Sequence, residues 1–288
     1  MATTKPAKES TETTEIAIVR NQALALPDFM NEEDLGGGFE GADKDSYAIP
    51  FLQVLQKMSP LVDEDDPKYI KGAKAGMFYN TVTQKLYDGK EGITIVPCAY
   101  KRSFIQWGGR EGDGGFKGEF TPEQIVSMQE SGAIVTIEGR LYKPGEDGTV
   151  NEKKNDYFAD TRSHFVLIID PETKEVGRAI FSLASTLTKA SKMLMTSLQQ
   201  KKIDVPGGKK TPPTFANLVK VVTTGMSNDK GSWSGVRFDL EGMVTDASIY
   251  NEAREFYKAI VTGELKADYA KSESAATGNV SDKPATAD

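Results

Sequence analysis

The chain has 288 residues, a mass of 31.4 kDa, a formal net charge of -7, a mean hydropathy of -0.43, one histidine and one cysteine. This composition excludes an intrachain disulfide and leaves no material for a zinc site of the usual Cys/His kind. No apolar run approaches the ~20 residues of a membrane helix, and the Thr-, Lys- and Glu-rich start carries no signal or transit pattern, which predicts residence in a cytoplasm.

Residues 1–46 read as a disordered N-terminal region, because Ala, Thr, Lys and Glu cannot bury enough apolar surface to offset ordering entropy. Within it, Asp28 to Asp45 holds seven acids against one base, Lys44, and is broken by Gly36, Gly37 and Gly38. This acidic arm is expected to shield a basic surface elsewhere, so that deleting residues 1–45 tightens anion binding at low salt. A single ordered domain is expected over residues 47–265, and residues 266–288 read as a second disordered tail.

Strand signals dominate the domain. Gly92 to Lys101, Ala133 to Glu138, His164 to Ile169 and Val176 to Leu183 show apolar runs or alternation with β-branched residues. The last two are joined by Asp170, Pro171, Glu172, Thr173 and Lys174, which predicts a hairpin. Phe215 to Thr224 and Ser234 to Val244 read as two more strands, turning near Asn228, Asp229, Lys230 and Gly231.

Helices interrupt this pattern in three places. Thr121, Pro122 and Glu123 read as N-cap, N1 and acidic first turn of a helix to about Gln129. Ser185 to Lys202 carries an apolar stripe of Leu187, Ala190, Leu194 and Leu198, with Ser185, Lys189, Lys192 and Thr196 on another face. Asp246 caps a last helix through Tyr250, Ala253, Phe256, Tyr257, Ile260 and Val261, with Gly263 as its stop.

The sharpest functional signal is charge segregation. Residues 178 to 220 carry Arg178, Lys189, Lys192, Lys201, Lys202, Lys209, Lys210 and Lys220 against Asp204 alone, a local +7 inside an overall anion. A clustered basic surface is the electrostatic footprint of a polyphosphate partner, although a solvated helix face with snorkelling lysines fits the same pattern. A second signal lies at Tyr100, Lys101, Arg102, Ser103, Phe104, Ile105, Gln106, Trp107 and Arg110. Strand alternation sends Lys101, Ser103 and Ile105 to one side and Tyr100, Arg102, Phe104 and Gln106 to the other, so a cation shares a face with two aromatic rings. Single-stranded nucleic acid asks for that mixture, with bases stacked on rings at ~1–3 kcal/mol each and cations along the backbone. The glycines from Gly108 to Gly118 read as a mobile loop able to close over a strand. Phe104 and Trp107 read equally as core aromatics, and Trp233 reads as a stacking platform or a sheet-edge anchor.

Catalytic patterns are weak. The glycine-rich stretches lack the order of a phosphate-binding loop, and no motif joins Cys98 to His164, both of which read as buried structural residues. Asp156, Asp160, Asp170, Glu172, Asp239 and Glu241 supply carboxylates for a metal-dependent nuclease without any distinctive spacing.

Tyr47, Pro50, Phe51, Leu52, Ser59, Pro60, Gly76, Asn80, Thr81, Val96, Pro97, Tyr100, Arg102, Phe104, Trp107 and Arg110 resemble a group of proteins from tailed-phage replication and recombination regions. So do Ser185, Thr186, Leu187, Lys189, Lys192, Asn228, Asp229, Gly231, Trp233 and Gly235, and together the resemblance spans roughly residues 47 to 265. It implies a phage single-stranded DNA-binding protein with an OB-type β-barrel elaborated by helices. The end of the chain, Asp282 to Asp288, departs from the acidic tip with an apolar last residue found in bacterial single-strand binders, so recruitment of partners through it is not implied.

The resulting expectation is a mainly β (α+β), OB-like domain that binds single-stranded DNA without sequence preference in a phage-infected cytoplasm. It needs no cofactor, metal or catalytic residue. Lys101, Arg102, Arg110, Arg178, Lys189 and Lys192 are expected to contact phosphates, with Tyr100, Phe104, Trp107 and Trp233 as stacking rings. Phage replication or recombination proteins are possible partners, and strand annealing in an oligomer is a neighbouring reading. The alternatives are a phage structural or interaction protein with an acidic protein partner, and the metal-dependent nuclease.

Overall fold

The computed structural model describes residues 31–35, 37–42, 46–229 and 231–272, so of the two ends expected to be disordered, residues 1–30, 36, 43–45 and 273–288 lie outside the described residues, Asp28, Asp43 and Asp45 of the acidic arm among them. The chain divides into a unit of residues 1–40 and a unit of residues 41–288. In the first, Glu32–Asp34 form one 3-10 turn, and the N–H of Gly38 donates to both carboxylate oxygens of Glu40 at 3.1 and 3.0 Å.

The second unit is mainly β, as the patterning predicts. In chain order it contains β1 (Leu52–Val54), β2 (Phe78–Asn80), β3 (Leu86–Tyr87), β4 (Ile93–Trp107), β5 (Phe116–Phe120), α1 (Pro122–Glu130), β6 (Val135–Ile137), β7 (Arg140–Tyr142), β8 (Tyr157–Ile169), β9 (Val176–Ala184), α2 (Thr188–Gln200), β10 (Ile203–Val205), β11 (Gly208–Lys210), β12 (Asn217–Asn228), β13 (Gly231–Met243), α3 (Ala247–Val261) and the single turn α4 (Tyr269–Ser272). An eight-stranded sheet runs β13-β12-β4-β8-β7-β6, with β5 beside β4 and β9 beside β8; β1-β2-β3 and β10-β11 form two small sheets.

The barrel of the OB-like expectation is not formed: among the described residues no pairing joins β13 to β6, so the sheet stays open. The reason lies in the two long central strands. Closing a barrel needs one interior face around a single core, whereas β4 and β8 are apolar on both faces. Ile93, Ile95, Val166 and Ile168 share one core with Leu194 and Leu198 of α2 and with Leu52 and Phe78 of the small sheet. Val96, Cys98, Phe165 and Leu167 share another with Ala253 and Phe256 of α3. Each face is thus covered by its own layer, and burying a side chain the size of Phe165 or Phe256 contributes on the order of 1.5–3 kcal/mol. A bulge between Pro97 and Ala99 accommodates the proline, which cannot donate to the ladder, inside β4.

A third cluster, Phe104, Ile125, Ile134, Leu141 and Phe158, seats α1 at the far end of β4 and β8. That helix starts at its expected cap: Thr121 Oγ1 accepts from the N–H of Gln124 at 3.3 Å, and Gln124 Oε1 accepts from the N–H of Thr121 at 2.8 Å. Thr121→Ala is expected to cost about 1 kcal/mol in urea unfolding with an unchanged m-value. Asp246 caps α3 as expected, through the N–H of Ser248 at 2.7 Å.

The hairpin β8–β9 forms in the expected place, and β12–β13 is longer than expected, its ladder running to Asn228 opposite Gly231. Since β12 pairs β4 only over Val219–Val221, the remainder is a two-stranded ribbon. It rests on the small sheet, with the Gln56 side-chain amide donating to Ser234 O at 3.0 Å and accepting from Ser234 N–H at 2.9 Å. At the C-terminal side the ordered chain passes the expected limit of 265. Leu265 and Ala267 pack on the second-face core and Tyr269 is buried there, its hydroxyl bonded to Ser163, so alternate apolar residues dock a segment whose composition alone reads as tail.

Candidate nucleic-acid interface

Helix α2 separates its faces as its sequence dictates. Leu194 and Leu198 are buried in the first-face core with Leu187 and Ala190 packed against it, while Ser185, Lys189, Lys192 and Thr196 are exposed. Met193, 61% exposed, adds an apolar patch between the lysines. The chain enters the helix through Ser185, whose φ of 51° turns it out of β9. Beyond the helix, Asp204 lies opposite Lys209 in the β10–β11 ladder with no ion pair formed between them, and Lys209 and Lys210 are exposed. Lys201 donates to the backbone oxygen of Gly242 at 2.9 Å, and Lys202 to Thr211 Oγ1 at 2.5 Å and Gln199 O at 3.3 Å, all neutral acceptors that leave both charges uncompensated.

The only cation of the 178–220 segment that has an acidic partner among the described residues is Arg178, bound to Glu252 at 2.7 Å with its guanidinium 5.1 Å from the Phe256 ring centroid. Lys189, Lys192, Lys201, Lys202, Lys209, Lys210 and Lys220 have none there. On α2 and the β10–β11 hairpin these unneutralised ammonium groups raise the local positive potential and attract polyanions, whereas Lys220, alternating with Val219 and Val221 of the first-face core, is on the other side of the sheet.

The cations of β4 are placed differently. Lys101 is paired with Glu119 at 2.9 Å on the α3 side of the sheet. Arg102, on the α2 side, holds Asp160 through Nε and Nη2, each at 2.9 Å, with its guanidinium 5.4 Å from the Phe104 ring centroid. Arg110 is exposed in the loop after β4. The alternation expected for this strand is therefore observed, and its consequence is that the candidate residues divide between two faces. Tyr100, Arg102, Lys189 and Lys192 belong to the α2 side; Lys101, Trp107 and Arg178 belong to the α3 side.

The aromatic rings are also sorted by packing. Phe104 is 8% exposed among Ile125, Leu141 and Phe158, so it takes the core role and not the stacking one. The reason is that α1 needs an apolar seat on that stretch of β4. Trp107 is half-buried, edge-on to Phe116 at 6.0 Å between centroids. Tyr100 is half-buried with its ring 5.2 Å from the His164 ring. Trp233 is half-buried on the ribbon opposite Met226, which is exposed.

The glycine loop does not fit the expected lid. A Cβ on Gly108 would lie 2.2 Å from Gly114 O, and one on Gly109 would lie 2.4 Å from Lys154 O. Those glycines allow two backbones to touch, and the contact is held by Gly108 N–H to Gly115 O and Glu111 N–H to Lys153 O, both at 2.8 Å.

Residues 19–266 match a family model described as Pam3 phage gp34-like protein. The chain belongs to that family. It is accordingly a phage protein. No curated protein and no solved structure matches it.

In this gp34-like chain the two residues best suited to polar catalysis are buried. The Cys98 thiol is pushed up to about 12 by burial, chiefly, and donates to Val96 O at 3.3 Å. His164 is pushed down to about 4, first by burial and then by the Arg162 charge, and its Nε2 meets Ser191 Oγ of α2 at 2.8 Å. The carboxylates named for a nuclease are dispersed: Asp156 accepts from Gln106, Asp160 from Arg102 and Asp170 from Lys85. Among the described residues no three His, Cys, Asp or Glu side chains are grouped to hold a metal, and no helix is long and apolar enough to cross a membrane.

Sequence reading missed Arg162 of the β4–β8 polar group and Glu119 of β5, the partner of Lys101, and placed Asp160 only among the nuclease carboxylates. For Arg162 the alternation Asp160-x-Arg162-x-His164 carries the signal, because three successive polar side chains on one face of a strand that runs on into the apolar residues 165–169 require partners.

Proposed function

We propose that this phage protein binds single-stranded DNA without sequence preference during phage replication or recombination, in the cytoplasm of the infected host, and that it does so as a binding protein and not as an enzyme. The observation that carries this reading is the run of lysines on α2 and the β10–β11 hairpin, exposed or bonded to neutral groups and without acidic partners among the described residues. Lys189, Lys192, Lys202, Lys209 and Lys210 would follow the phosphate backbone, with Thr196 and Ser185 as hydroxyl donors between them. Tyr100 on the α2 side, Trp107 on the α3 side and Trp233 on the ribbon, each half-buried, remain the candidate rings for base stacking, and exposed Arg110 is a further phosphate contact. Lys101, Arg102 and Arg178 must first leave a carboxylate, which lowers their share of the affinity.

Fluorescence anisotropy of labelled oligo-dT against duplex of equal length, at two salt concentrations, tests the reading. Tight binding to the single strand that weakens steeply with salt is expected, with a log–log slope of about 0.7 per phosphate contact. Equal affinity for duplex and single strand would discard the single-strand preference, and no binding at low salt would discard the DNA reading in favour of an acidic protein partner.

A further inference from the structure

On the α2 side of β4 and β8, between the helix and the α1 lobe, two guanidinium groups converge on one carboxylate. Asp160 accepts from Arg102 Nε and Nη2 at 2.9 Å each and from Arg162 Nη2 at 3.2 Å, so the cluster keeps a net charge of +1. Arg162 is only 9% exposed, and its Nε is buried without a hydrogen-bond partner. A guanidinium presents Nε–H and Nη2–H as one fork matched to two oxygens of an anion. Asp160 takes the Nη2 prong of Arg162 and leaves the other without an acceptor.

Two more donors belong to residues of this cluster. Arg162 Nη1 donates to the Tyr100 hydroxyl at 3.1 Å, which leaves the hydroxyl hydrogen of Tyr100 to donate onward. Arg102 spends only Nε and Nη2 on Asp160, so its Nη1 remains, on a side chain that is 41% exposed. Leaving a buried charged donor unsatisfied is costly, and guanidinium donors in a cluster of net positive charge suit a phosphate group.

We infer that Tyr100, Arg102 and Arg162 form a phosphate-binding site separate from the lysine face, with Asp160 as the internal anion that orders the two arginines when the site is unliganded. The incoming phosphate takes the Nε–H of Arg162 and draws Arg102 away from Asp160. This inference does not rest on the single-stranded DNA reading. A phosphate of that shape arrives either as a free phosphate or mononucleotide, or on a nucleic-acid strand.

The experiment follows the arginine Nε–H resonances of the full-length, nitrogen-15-labelled protein, with the Arg162 signal assigned by its loss in Arg162→Lys. Inorganic phosphate at constant ionic strength is expected to move that signal saturably, and chloride is expected to leave it in place. Asp160→Asn is expected to bind phosphate about tenfold more tightly, since a competing anion is removed, and Arg102→Lys about tenfold more weakly, since the fork is lost. Arg102 is at the surface, so that second variant reports on the site even if Arg162→Lys unfolds. Thymidine 5′-monophosphate and oligo-dT with and without a 5′-phosphate, as parallel arms, separate a free from a strand-borne ligand. The Lys189→Glu, Lys192→Glu protein is expected to keep the inorganic-phosphate response while losing oligo-dT affinity, which separates failure of this site from failure of the lysine face. No saturable movement of the Arg162 signal with any phosphate, or an affinity unchanged in both Asp160→Asn and Arg102→Lys, would overturn the inference and leave the cluster a structural ion network.

Discussion

Reversing both charges on the exposed face of α2, in Lys189→Glu with Lys192→Glu, is expected to weaken oligo-dT binding by about tenfold or more at low salt. The log–log salt slope should fall by about 1.4, two contacts at about 0.7 each. Neither lysine has an acidic partner among the described residues, so neither spends its charge on the fold, and both side chains are exposed on the face opposite Leu194 and Leu198. The thermal midpoint should therefore stay where it is. Lys258→Glu on α3 is the control, since that ammonium is already held by Glu255 at 2.8 Å on the other side of the sheet. Anisotropy over a salt series reads both quantities. An unchanged slope would remove α2 from the interface.

The second large effect concerns stability and pH. His164 is buried on β8 against Tyr100, Phe181 and Phe238, hydrogen-bonded to Ser191 and close to the Arg162 charge. Burial first, and that charge second, lower its pKa from 6.5 to about 4. The unfolded chain then binds a proton that the folded chain refuses between those two values. A depressed folded pKa gives stability that is fully present above 6.5 and is lost as pH falls toward 4. The loss attributable to His164 is about 3 kcal/mol by pH 4. Urea unfolding of the wild type and of His164→Gln at pH 7 and pH 4 checks this, because the carboxylates common to both proteins cancel in the difference. His164→Gln should lose about 3 kcal/mol less than the wild type over that interval. Equal losses in both proteins would mean that His164 titrates normally.

These two expectations differ in how far they could be read before the structure. The α2 face was legible because helical spacing alone puts Leu187, Leu194 and Leu198 on one side and Lys189 and Lys192 on another. The role of His164 was legible only as burial, since its partner Ser191 lies 27 residues away on another element. Phe104 and the glycine loop show the same limit more sharply. Alternation correctly set Phe104 on the Arg102 side of the strand, yet Ile125 of α1 and Leu141 of β7, both distant in sequence, bury it. Gly108 and Gly109 read as flexibility, although the backbone of Lys154 lies close enough to exclude any side chain on Gly109.

Local patterning by itself determined the strand-rich character, the β8–β9 hairpin, the caps at Thr121 and Asp246 and the charge segregation of residues 178–220. Each of these rests on neighbours within a turn or a strand, where periodicity and capping are the governing forces. Only the tertiary structure decided that the sheet stays open, that Lys101, Arg102 and Arg178 are paired with Glu119, Asp160 and Glu252, and that the lysines of α2 and its following hairpin lack acidic partners among the described residues. The reason is physical: whether a cation is free depends on which carboxylate lies within a few ångströms of it. That carboxylate is set by the folding of residues 18, 58 and 74 positions away along the chain.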